Sequence, residues 1–159
     1  MRTTVLRLGL GIAAAVAVAD QVVKWWVLDT LMATPEGIEV LPVFNLVLVW
    51  NRGISFGMFG GGALAPWLLA AFAGAIAVAL GVWLARVETR LLGAALGLVI
   101  GGAAGNIVDR LRFGAVADFL DLHVAGYHWP AFNLADAAIT IGVALLLTDV
   151  LLIGREKHT

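Results

Sequence analysis

Asp118 and Asp136 are the residues of this chain best placed to do chemistry. They stand in a very apolar sequence, in the segments Val-Ala-Asp-Phe-Leu-Asp (116–121) and Phe-Asn-Leu-Ala-Asp (132–136). A carboxylate at the centre of a membrane helix costs roughly +2.5 to +3.5 kcal/mol, so one kept there is functional by default. Two of them suggest a paired acid/base site. Carboxylates a few ångströms apart cannot both ionise and share a proton near neutral pH. The ionised member takes a proton from an attacking water. The protonated member donates a hydrogen bond to the carbonyl oxygen as charge develops there. That chemistry needs no covalent intermediate, metal or cofactor. Asp136 opens a long apolar run, where the N-terminal dipole of a helix favours negative charge. Asn133, one turn earlier, can hydrogen-bond a carboxylate or a substrate backbone.

The elements that position these groups must sit in a membrane. The chain has 159 residues, of which 62% are hydrophobic and 13% charged. Its mean hydropathy is +0.98. That balance is wrong for a soluble domain and right for an integral membrane protein. A net charge of −1 gives no reason to expect nucleic-acid binding. With no cysteine there are no disulfides, thiolate metal sites or cysteine nucleophiles.

The apolar runs predict four spans, at about 4–28, 66–85, 91–108 and 133–153. Arg2, Arg7 and Ala17-Val18-Ala19 also fit a cleavable secretory signal. Against that reading, the apolar character resumes after Ala19, so cleavage would discard half of a good helix. Trp25 and Trp26 suit an interface belt, and Trp67, Trp83 and Trp129 interfacial anchors. Asp20 and Lys24 stand one turn apart on one helix face, as an ion pair that braces a site. Thr34-Pro35-Glu36-Gly37 reads as a turn, and Gly60-Gly61-Gly62 as a flexible loop. Between them Phe44, Leu46, Leu48 and Trp50 alternate with Val43, Asn45, Val47 and Val49, which predicts a β-strand within a β-element at about 38–58. Gly93, Gly97, Gly101 and Gly105 recur every four residues, a side-chain-free stripe that admits another helix.

Four spans place both termini on one side. Arg2, Arg7, Arg86, Arg90, Arg155 and Lys157 then share that face, which the positive-inside rule makes cytoplasmic. The β-element and segment 109–132 face the opposite side, with Asp20, Lys24, Asn51, Arg110, Asp118 and Asp136. The fold class expected is an α-helical integral membrane protein of four transmembrane helices, one membrane domain over 1–159, with a small outer-face β-element.

The polar residues fall in five clusters: Asp20-Gln21-Val-Val-Lys24, Asn51-Arg-Gly53-Ile-Ser-Phe56, Gly105-Asn106-Ile-Val-Asp109-Arg110, Val116-Ala-Asp118-Phe119-Leu-Asp121 and Phe132-Asn133-Leu-Ala-Asp136. In this order and spacing they closely resemble the lipoprotein signal peptidase family (signal peptidase II), over nearly the whole chain. The resemblance implies an intramembrane aspartyl endopeptidase of the bacterial inner membrane. It would cleave the signal peptide from prolipoproteins before a cysteine already carrying diacylglycerol. It implies Asp118 and Asp136 as the catalytic pair, and that the two meet. Asn51, Gly53, Asn106, Asp109, Arg110 and Asn133 would surround the pair, with Asp20 and Lys24 in support. The partners implied are a diacylglyceryl-prolipoprotein and membrane lipids, acting on a monomer, with no cofactor.

Plainer readings stand beside these. Asp109 and Arg110 form an interface charge pair or a structural brace. Arg112 suits a lipid headgroup, Asp121 could pair with Asp118 but its place after Phe119 favours solvent, and Asp149 is a packed or snorkelling polar residue beside Thr148. His123 and His128 lack the third well-spaced ligand that a metal site with Asp121 would need. A small transporter or proton channel would also use intramembrane acids, but would spread them through the membrane depth. A non-enzymatic assembly protein would use the glycine stripe and leave the Asp and Asn clusters unexplained.

Overall fold

A computed structural model describes residues 1–31, 34, 36–53 and 65–153. The elements run α1 (Arg2–Leu31), β1 (Ile38–Leu41), β2 (Phe44–Asn51), α2 (Ala65–Leu84), α3 (Arg90–Phe113), β3 (Val116–Val124), β4 (Tyr127–His128) and α4 (Leu134–Ile153). Ile54, Ser55 and Phe56, the glycine loop at 60–62 and the basic residues Arg155 and Lys157 lie outside the described residues.

Among the described residues, three helices are long and apolar enough to cross a membrane: Arg2–Leu31, Pro66–Leu84 and Arg90–Phe113. α1 is unbroken through Ala17-Val18-Ala19. Trp25, Trp26, Trp67, Trp83 and Trp129 are all exposed, as interface anchors require. α3 extends well past the Val108 boundary expected from hydropathy. The run ends there for an apolar count, but the backbone has no reason to stop before Gly114, whose φ of 69° supplies the left-handed C-cap. Thr89 caps the other end, accepting a hydrogen bond from the Leu92 N–H. The extra turns carry Asp109 and Arg110 on a rigid helix.

The glycine stripe of α3 receives α1. A side chain at Gly97 would fall 2.5 Å from the Gly9 carbonyl oxygen, and one at Gly101 2.6 Å from that of Ala13. Gly93 faces Val5 and Gly105 faces the Asp20 carboxylate, so the two helices run parallel in close contact. Gly102, a position off the stripe, admits Ala135 and Ile139 of α4, and Gly142 of α4 returns the favour against Val99. In lipid no hydrophobic force drives helices together, so close approach of small residues carries the packing. At the end bearing the α1 N-terminus, Val5, Leu84, Val87 and Leu96 form a buried cluster, and Arg2 pairs with Glu88.

At the opposite end a four-stranded antiparallel sheet, in the order β1-β2-β3-β4, seats on α1 through Val27, Leu31 and Phe119. The alternation in 44–50 is therefore β2, paired with β1 on one side and β3 on the other. β3 and β4 fall outside the 38–58 element. They are joined by Ala125 and Gly126, both at positive φ (50° and 82°), the geometry that two-residue hairpins demand. After β4 the chain folds back so that Phe132 bridges Leu120, which delivers the start of α4 to the middle of β3.

This packing yields a direct expectation. Gly97→Leu or Gly101→Leu should lower the thermal midpoint in detergent by many degrees, because either side chain would meet the α1 backbone. Unchanged midpoints in both variants would mean that α1 does not lie on the stripe.

Candidate active site

The site is assembled where α1, α3, β3 and the start of α4 converge. Asp118 sits in mid-β3, opposite Val49 of β2, and is 1% exposed. Its two oxygens accept from different elements: Oδ2 from Asn51 Nδ2 at 2.9 Å, Oδ1 from Asn133 Nδ2 at 2.7 Å. Asn51 is the diagonal neighbour across the β2–β3 ladder, within side-chain reach. Its own Oδ1 accepts the Gly53 N–H at 2.8 Å, closing a tight turn in which Gly53 takes a φ of 73°. A side chain at Gly53 would be strained there and would strike Leu69 of α2.

Asp136 lies one turn into α4, with Asn133 as the residue before the helix. The two bond reciprocally, Asp136 N–H to Asn133 Oδ1 at 2.9 Å and Asn133 N–H to Asp136 Oδ2 at 3.3 Å, in the manner of a capping box. Asn106 Nδ2 donates to Asp136 Oδ1 at 2.8 Å. Asn133 therefore touches both aspartates, one through its side chain and the other through its backbone. This contact brings Asp118 and Asp136 together, which spacing alone did not require.

Behind the pair lies a buried charge cluster. Lys24 Nζ is 2.9 Å from Asp20 Oδ2 and 2.7 Å from Asp109 Oδ2, and it donates to Asn106 Oδ1 at 3.1 Å. All three ionic groups are almost completely buried. Asp20 and Lys24 thus form the expected ion pair. Asp109 does not pair with Arg110; it turns to α1 instead, because neighbours on a helix point about 100° apart. Asp109 Oδ2 also accepts the Ala117 N–H of β3 at 3.1 Å, and Asp20 Oδ1 accepts the Ala135 N–H of α4 at 3.0 Å. Gln21 links the two carboxylates, donating to Asp109 Oδ1 at 2.9 Å and Asp20 Oδ2 at 3.2 Å. Gln21 belongs to the first cluster in the sequence, but nothing there distinguished it from a lipid-facing residue. Gly105 is as necessary, since a side chain would collide with Asp20.

Arg110 lies in the last turn of α3. It donates to the Asn106 carbonyl at 3.3 Å, and its buried Nε has no partner among the described residues. Arg112 donates to Gln21 Oε1 at 3.3 Å and lies over the Phe113 ring.

Burial is the main reason that the Asp118 carboxyl is pushed up to about 6. The amides of Asn51 and Asn133 work against the shift, while the charge of Asp136 adds to it. Asp121 behaves oppositely. It is not solvent-facing as its place after Phe119 suggested, being only 6% exposed. It pairs across the ladder with Asn45, whose Nδ2 donates at 3.0 Å, and it bonds His128 Nδ1 at 2.8 Å. The His128 bond holds it below the usual carboxylate range. His123 stacks on His128, and no three-residue metal-binding group occurs among the described residues. Asp149 is half-buried, with one oxygen unpartnered among the described residues.

The same architecture occurs in two solved structures of a bacterial membrane enzyme. They align with TM-scores of 0.73 and 0.76 at 31% and 30% identity. The first alignment covers 90% of this chain and 87% of the other, the second 91% and 92%. The class is thus that of helical bacterial membrane enzymes. Residues 12–152 match the family model described as signal peptidase (SPase) II. The lipoprotein signal peptidase of Rhodopseudomonas palustris is 48% identical over 155 residues, 94% of each chain. That of Nitrobacter hamburgensis is 49% identical over 153 residues, 92% of this chain and 93% of the relative. The chain belongs to the signal peptidase II family.

The buried Asp118 gives a pH test. Its folded-state value lies above the ordinary 3.8, so the folded state binds the extra proton between about pH 4 and about 6. That contribution to stability is complete below the ordinary value and is lost as pH rises through the folded one. Relative to Asp118→Asn, the wild type should lose up to about 2 kcal/mol between about pH 4 and about pH 7, allowing for solvent screening. Thermal midpoints of both proteins across that range check it; a constant difference would show that Asp118 titrates normally.

Proposed function

We propose that Asp118 and Asp136 are the catalytic pair of an aspartic endopeptidase, acting on prolipoproteins within the membrane. As a member of the signal peptidase II family, the chain removes signal peptides from prolipoproteins. Family membership leaves the transporter or proton channel without support. The observation that carries the aspartic reading is the Asn133 bridge, in which one residue donates to both carboxylates.

In this reading the pair shares one proton. The raised Asp118 carboxyl keeps that proton within reach of neutral pH. The ionised carboxylate draws a proton from water as the oxygen attacks the scissile carbonyl, and the protonated one hydrogen-bonds the developing oxyanion. The proton taken from water then passes to the departing amine. Asn51, Asn106 and Asn133 fix the carboxylates so that little reorganisation accompanies the attack. Arg110, whose Nε has no partner among the described residues, supplies a positive charge beside the reacting carbonyl. Gly53 keeps the turn after β2 tight, and Asp20, Lys24 and Asp109 support the pair from behind.

The proposal extends to placement. α4 is the fourth span, both termini are cytoplasmic, and the sheet lies at the periplasmic leaflet. The single membrane domain works as a monomer, entered laterally from lipid. Cleavage falls just before a cysteine carrying diacylglycerol. A site opening in the leaflet gains about 0.8 kcal/mol for each acyl CH₂ it buries, which favours the modified substrate.

Asp118→Asn and Asp136→Asn should each reduce cleavage of a diacylglyceryl-modified prolipoprotein by at least about 10³-fold while the protein still inserts and folds. Near wild-type turnover in either variant would end the dyad assignment. The unmodified precursor should be cleaved far more slowly than the modified one by the wild type; equal rates would show that the lipid is not read.

A further inference from the structure

The Asn106 side chain is an amide that could sit either way round, exchanging its oxygen for its NH₂ group. Its surroundings allow one orientation only. Oδ1 faces the Lys24 ammonium at 3.1 Å and the Asn133 NH₂ at 3.2 Å. Nδ2 faces the Asp136 carboxylate at 2.8 Å. Turned over, the amide would set NH₂ against two donors and its carbonyl against a carboxylate. An ammonium has three hydrogens and no lone pair, so Lys24 can never accept from Asn106. Lys24 in turn is held by Asp20 and Asp109, so the direction of the Asn106 dipole is imposed from α1. No hydrogen bond joins Lys24 to Asp118 or Asp136 among the described residues.

We propose that Lys24 is a positioning residue that acts through Asn106: by fixing which end of the amide meets Asp136, it keeps an N–H donor on that carboxylate. This rests on the dyad reading above. It differs from a bracing role, in which Lys24 only neutralises Asp20. The charged groups around the amide are Asp20 and Lys24 from α1, Asp109 and Arg110 from α3, Asp118 from β3 and Asp136 from α4. Of these charged groups, only Lys24 and Asp136 bond the side-chain amide of Asn106 directly among the described residues.

A double-mutant cycle on kcat and KM, with thermal midpoints taken in parallel, separates the two roles. Lys24→Met should lower kcat by about 10- to 100-fold, the scale of one hydrogen bond to a charged group, with KM within about threefold of wild type. Asn106→Leu removes the amide, so adding Lys24→Met in that background should change kcat by less than about twofold. Multiplying losses, or an unaltered kcat in Lys24→Met, would overturn the proposal. If Lys24→Met alone does not fold, Asp20→Asn and Asp109→Asn are added to remove the unpaired carboxylates, and the cycle is run with that triple change. A triple variant that is folded and fully active, or one that also fails to fold, overturns the proposal in favour of a purely structural lysine. Asp118→Asn and Asp136→Asn run in the same assay keep the readings apart. Activity retained there ends the dyad reading; activity lost there with Lys24→Met unaffected ends this proposal alone.

Discussion

The structure depends on one buried ammonium. Lys24 sits between Asp20 and Asp109, and each of those carboxylates also accepts from the backbone of another element. Asp20 accepts from Ala135, at the start of α4, and Asp109 accepts from Ala117, at the start of β3. A single charge cluster therefore sets where the two segments carrying Asp136 and Asp118 attach to the helices. Buried ion pairs seldom add net stability, because desolvation offsets the attraction. Their value here is geometric: removing one partner strands a charge, so alternative packings are excluded.

That cluster can exist only because α3 is bare where it meets α1. Parallel contact along Gly93, Gly97, Gly101 and Gly105 brings the helices close enough for Lys24 to reach Asp109, and Gly105 leaves the space that the Asp20 carboxylate fills. The glycine stripe and the charge cluster are successive sections of one helix–helix seam, apolar at one end and ionic at the other. Where the seam becomes ionic, Asn106 bonds Lys24 and donates to Asp136, and Asn133 bonds Asn106 and donates to Asp118. The aspartates thus lie at the end of a chain of constraints that begins with the absence of side chains.

Much of this was legible in the sequence, for physical reasons. Long apolar runs marked α1, α2 and α4, the period-two pattern marked β2, and the spacing of Asp20 and Lys24 showed their pairing. β3 was not legible. Its Asp118 and Asp121 are buried by partners distant in sequence, so Val-Ala-Asp-Phe-Leu-Asp shows neither a clean alternation nor an apolar run. The end of α3 was also misplaced, since hydropathy falls at Asp109 while the helix continues to Phe113. Asp121 read as solvent-facing because its partners, Asn45 and His128, become neighbours only once the sheet is formed. The meeting of Asp118 with Asp136 depends on the same returns, β2 beside β3 and Phe132 against Leu120.

In the proposed mechanism Asp118 and Asp136 share one proton and act as acid and base together. The pH dependence of kcat/KM on a diacylglyceryl-modified prolipoprotein tests it most directly. A shared proton requires a bell-shaped profile: activity falls in acid as both carboxyls become protonated, and falls again once the pair loses its last proton. The upper limb should lie at or above the Asp118 value of about 6. A profile that stays flat from about pH 4 to about pH 9 would rule out the shared proton, because no carboxylate pair could then be trading a proton during the reaction.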